Sequence, residues 1–112
     1  MLKSGHVDTF CRDNLPPKEL WPELRMAEAG LHYPERLNAT VELVDRHLMN
    51  GLGEAIALLG PSSEWSYAEL AERINRIANV LTHDLGLIPG HRVLLRAPNN
   101  PDLVAVYLAV IK

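Results

Sequence analysis

The sequence predicts an α/β chain in which a β-hairpin runs into a strand, helix, strand (βαβ) unit, preceded by an irregular arm and one helix. Three observations carry this expectation. Ser66 and, three residues on, Glu69 form a capping box, and Leu70, Ile74, Ile77, Ala78, Leu81 and Leu85 follow it at the helical period as far as Gly86. Apolar runs stand on both sides of that helix, at 55–59 and 93–95, with glycine and proline between them and their neighbours. Val93, Leu94 and Leu95 are consecutive apolar residues, the pattern of a strand covered on both faces in a parallel sheet, where the crossover is right-handed.

Composition removes several classes of function. The 112 residues, 47% hydrophobic and 22% charged, suit one small globular domain. A formal net charge of −3 with dispersed Lys and Arg leaves no basic footprint for nucleic acid. No apolar run approaches the roughly 18 residues that span a bilayer, and Met1–His6 lacks the apolar core of a secretory signal. Neither a membrane nor export is expected, and the default compartment is the cytoplasm. Cys11 is the single cysteine, so an internal disulfide is excluded, and no motif sets a histidine beside it as a base.

Residues 1–37 read as an extended N-terminal arm. Pro16, Pro17, Pro22 and Pro34 impose extended or turn backbone, with short helical turns near Pro17–Leu24. Phe10, Leu15, Leu20, Trp21, Leu24, Leu31 and Tyr33 are more than a solvated linker needs, so the arm is expected to pack across a larger body.

The second region, 38–112, opens with a helix. Asn38 or Thr40 can cap it, Val41, Val44 and Leu48 form its apolar face, and Gly51 ends it near Asn50. Gly51-Leu52-Gly53 imitates the start of a dinucleotide fingerprint, but no strand precedes it and Ile56 stands where the third glycine belongs. It reads as a helix end and a turn. Ala55–Leu59 is then a strand, Gly60-Pro61-Ser62-Ser63 a turn, and Glu64-Trp65 the antiparallel return that leads to the capped helix. On that helix Glu69 with Arg73 and Glu72 with Arg76 are i,i+4 pairs, each worth roughly 0.3 kcal/mol. Pro89-Gly90 is a turn, and His91–Ala97 the following strand, against which the stripe of the capped helix is expected to pack. Asn100 caps the last helix, with Pro101 at its first position and Asp102 near the positive end of its dipole. From Leu103 to Ile111 this helix is apolar almost all round, and Lys112 follows without a terminating glycine. The expectation is a chain truncated at Lys112, with an apolar face on Leu103–Ile111 that drives self-association.

Residues that carry chemistry are few. His6, His32, His47, His83 and His91 are too dispersed for a local metal site, and Asp45 and His47, two apart on a helix, point in different directions. Neither a serine nucleophile motif nor a glycine-rich phosphate cradle is present. No catalytic, cofactor-binding or metal-binding residue is assigned.

Beyond composition and spacing, the residues resemble a known family. Trp65-Ser66-Tyr67-Ala68-Glu69-Leu70, then Gly90-His91-Arg92-Val93 leading through Ala97-Pro98-Asn99-Asn100 to Leu108-Ala109-Val110-Ile111-Lys112, is similar to the first part of the adenylate-forming acyl-CoA synthetase superfamily of AMP-binding enzymes. The order and spacing match from about Ala55 to Lys112, and His91 stands where the family more often has Asp. The preceding segment, Asp8 to Pro17, Leu20-Trp21-Pro22, Tyr33–Asn38 and Leu43–His47, resembles the amino-terminal arm of the benzoate and 2-aminobenzoate CoA ligase branch.

The resemblance implies that 38–112 is the first αβ portion of the large N-terminal domain of the acyl-CoA synthetase fold. It implies a parent enzyme that is an AMP-forming acid–thiol ligase, in which an aromatic carboxylate attacks ATP to give an acyl-adenylate and CoA then displaces AMP. ATP, Mg²⁺ and CoA are implied for that parent and none for this chain, because the family's phosphate loop, adenine and ribose contacts, catalytic Lys and acyl pocket fall beyond Lys112. The chain alone is expected to be inactive, with the remainder of the parent chain as its partner. The alternative is a naturally short interaction or regulatory module related to the same family.

Overall fold

The structure, a computed structural model, describes residues 5–112. The chain divides into two compact units, the described part of Met1–Leu37 with Ile88–His91, and Asn38–Leu87 with Arg92–Lys112.

The first unit has little regular structure, as four prolines dictate. Helix α1 is one turn, Phe10–Asp13, started by the Asp8 carboxylate, which accepts the Phe10 N–H at 2.9 Å. A 3₁₀ turn, Lys18–Leu20, follows, and the Trp21 indole N–H donates to the Pro16 carbonyl at 2.7 Å. What ties the segment down is the turn at Ile88–His91. The Val7 and Asp8 N–H groups both donate to the Pro89 carbonyl, at 2.8 and 3.0 Å. Gly90, at φ +102°, lies so close that an added Cβ would stand 2.0 Å from the Asp8 carbonyl oxygen. Phe10, Leu15, Leu20, Trp21, Leu24, Leu31 and Tyr33 are all exposed.

The second unit holds the core. Its first helix begins under Asn38, whose carboxamide oxygen accepts from the Thr40 and Val41 N–H groups at 3.0 and 3.2 Å. It runs through a π-helical turn, Val41–Asp45, into α2, Arg46–Met49. Gly51, at φ +77°, then reverses the chain in the left-handed conformation that glycine adopts without penalty. Val44 is buried, whereas Leu48 on the expected apolar face is largely exposed.

Strands β1, Ile56–Leu59, and β2, Glu64–Ser66, form an antiparallel hairpin, with Leu59 opposite Glu64, Leu58 opposite Trp65, and a bulge between Ile56 and Leu58. Helix α3, Tyr67–Asn79, starts directly from β2 with both halves of the capping box made. The Glu69 N–H donates to Ser66 Oγ at 3.2 Å, and the Ser66 N–H donates to the Glu69 carboxylate at 2.8 Å. Its helical path continues through a second π-helical turn, Val80–Asp84, where Thr82 Oγ1 donates to the Ala78 carbonyl at 2.9 Å and competes with the regular ladder. Helix α4, Pro101–Ile111, starts under Asn100, whose side-chain oxygen accepts the Leu103 N–H at 3.0 Å.

Helices α3 and α4 pack on one another, and the hairpin and first helix complete the enclosure around Val44, Leu70, Ala71, Ile74, Ala105, Leu108 and Ala109. Ile77, Ala78 and Leu81 lie half-buried at its edge.

Three expectations need correction. The segment 91–97 is not a strand, so no βαβ unit is formed among the described residues: the only ladder joins β1 to β2, and Leu94 is 95% exposed. An extended run becomes a strand only when another strand's backbone pairs with it, so the α3 stripe packs instead on α4 and the hairpin. Leu85, placed on that stripe by period, is exposed because the wider π turn rotates it away. The Glu69 to Arg73 pair does not form, since the capping box engages the Glu69 carboxylate, and Arg73 pairs with Asp102 at 3.1 Å; Glu72 and Arg76 do pair.

Candidate functional site

Helix termini are where a chain without a glycine-rich loop could still hold a phosphate, because unpaired N–H groups and the helix dipole attract anions there. In this chain the start of α3 is already filled. The Tyr67 N–H donates to the Ala55 carbonyl at 3.0 Å and the Ala68 N–H to the Gly53 carbonyl at 2.9 Å, while Ser66 takes the next donor. Gly51-Leu52-Gly53 therefore places a carbonyl oxygen, and not a row of N–H groups, at the positive end of α3. At the start of α4, Pro101 has no N–H and Asn100 takes the Leu103 N–H. Among the described residues no group of three or more His, Cys, Asp and Glu is placed to hold a metal ion. The described residues offer no ligand set for Mg²⁺, and no reaction step is assigned to them.

An open cleft of about 410 Å³ runs along α3, lined by Trp65, Glu69, Glu72, Arg73, Arg76 and Ile77. Its charged side chains are engaged within the chain. The Arg73 guanidinium lies over the Trp65 ring, 4.4 Å from the ring centre, and reaches Asp102 at 3.1 Å, which joins α3 to α4 across the surface. Arg76 pairs with Glu72 one turn away. The Glu69 carboxylate is held by the Ser66 N–H and not by a cation, so the cleft combines an aromatic floor with two ion pairs and the acidic half of a capping box.

The functional-type residues singled out by spacing are dispersed. Asp45 receives Lys112 Nζ at 2.9 Å, and His47 instead stacks on Tyr67, with ring centres 4.2 Å apart and planes 2° from parallel. His47 Nδ1 is buried without a hydrogen-bond partner. The His91 ring accepts the Ile88 N–H through Nδ1 at 3.4 Å and turns Nε2 toward the Asp8 carboxylate at 3.9 Å. Cys11 is exposed and unpaired by a disulfide.

The interaction that sequence reasoning missed is at the end of α4. Thr40 is fully buried, and its hydroxyl donates to the Leu108 carbonyl at 2.7 Å across 68 residues of sequence. Asn38 Nδ2 donates to the Lys112 carbonyl at 2.8 Å. Two carbonyls at the C-terminal end of α4, those of Leu108 and Lys112, thus accept hydrogen bonds from the start of the unit's first helix. A polar residue inside an apolar helical face was the available signal. No helix among the described residues is long and apolar enough to cross a membrane.

A family model described as "AMP-binding enzyme" matches residues 45–112. Benzoate–CoA ligase of Thauera aromatica is 37% identical over 83 residues, 74% of this chain and 16% of that protein. The 3-hydroxybenzoate–CoA/4-hydroxybenzoate–CoA ligase of the same organism is 38% identical over 79 residues, 70% of this chain and 15% of that protein. Acetyl-coenzyme A synthetase of Xylella fastidiosa is 42% identical over 80 residues, 65% of this chain and 12% of that protein. The chain therefore spans no more than about a sixth of the length of these relatives, 16% at most. No solved structure matches it significantly.

Proposed function

Because the chain belongs to the AMP-binding enzyme family, we propose that it is the opening segment of an ATP-dependent acid–thiol ligase that joins an aromatic carboxylic acid to CoA in the cytoplasm. The supporting observation is the similarity to two ligases named for benzoate and hydroxybenzoates, which extends over 74% and 70% of this chain. In such a ligase the carboxylate displaces pyrophosphate from ATP to give an acyl-adenylate, and the CoA sulfur then displaces AMP. The residues of this chain support that chemistry from a distance. Ser66 and Glu69 fix the start of α3, Leu70 and Ile74 hold it against α4, and Thr40 and Asn38 fix the end of α4. The groups that handle ATP, Mg²⁺, CoA and the aromatic acid belong to the remainder of the parent chain, and the 112-residue chain alone is inactive.

The test is the mass of the native product, detected with an antibody raised against this chain, followed by assay of that product. A product several times 12.5 kDa that forms CoA thioesters from aromatic acids supports the proposal. A large product that accepts acetate and refuses benzoate and its hydroxy derivatives overturns the aromatic assignment. ATP–pyrophosphate exchange with benzoate by the purified 112-residue chain refutes its inactivity. A native product near 12.5 kDa favours instead a short module that acts by binding another protein.

A further inference from the structure

We draw no further inference here: the strongest candidate, the extended Val93–Ala97 segment of the second unit with Leu94 turned to solvent, presents an apolar edge without a strand beside it, but nothing in the structure shows what covers it.

Discussion

Replacing Thr40 with Val tests whether a single buried hydroxyl anchors the end of α4. The side chains are nearly isosteric, so the change removes the donor without opening a cavity. Thr40 is 0% exposed and its bond to the Leu108 carbonyl is 2.7 Å long. That carbonyl also accepts the Lys112 N–H at 3.0 Å, so it loses one of two partners and is not orphaned. A methyl group held at the former hydroxyl position would also press on the oxygen. The cost should lie between about 1 and 2 kcal/mol, above a typical net hydrogen bond and below a fully unsatisfied buried acceptor. With a urea slope of about 2 kcal/mol/M, the unfolding midpoint should fall by about 0.5–1 M with the slope unchanged. Circular dichroism of the purified chain in urea reads it directly. A midpoint that stays in place or rises would refute the anchoring role, and a changed slope would move the effect to the denatured state.

The other expectations use the same measurement or a close relative. Ser66→Ala removes one half of the capping box and should cost about 1 kcal/mol; a loss below the error of the urea midpoint would mean that the hairpin alone fixes the start of α3. Ile74→Ala, at the fully buried centre of the α3 stripe, should cost about 2–5 kcal/mol, and the same change at half-buried Ile77 clearly less. Equal losses at both positions would contradict the observed core. Gly90→Ala forces a Cβ toward the Asp8 carbonyl at φ +102°; amide exchange at Val7 and Asp8 should accelerate at least several-fold, and unchanged exchange would show that the turn can relax without releasing them.

What was legible in the sequence was what is decided locally. Ser66 and Glu69 are one turn apart, Asn100 sits two residues before Asp102 and directly before Pro101, and Gly60-Pro61 separates the apolar run before it from the Glu64-Trp65 return, so caps and hairpin follow from residues within a few positions of each other. Pairings across the fold were not legible. Val93–Leu95 has strand composition, but a ladder needs a second backbone, and composition names no partner. The Thr40 to Leu108 bond spans 68 residues, and from sequence Thr40 looked like a candidate cap when Asn38 is the residue that caps. Glu69 shows why the surface pairs were half right. A carboxylate with two suitors goes to the backbone N–H beside it, and Arg73 is left to Trp65 and Asp102. The occupied start of α3 follows from the same locality, since the N–H groups of Tyr67 and Ala68 go to the nearby carbonyls of Ala55 and Gly53.

The bond between Thr40 and Leu108 also sets an order of events during synthesis. A ribosome adding about 5–20 residues per second needs roughly 3–14 s to advance from one to the other. For that interval the Thr40 hydroxyl has only water to donate to, and the apolar face around Val44 has no α4 to meet. The hairpin and α3, whose contacts are close in sequence, emerge after that helix and before α4, and form the surface on which both ends of the unit later converge.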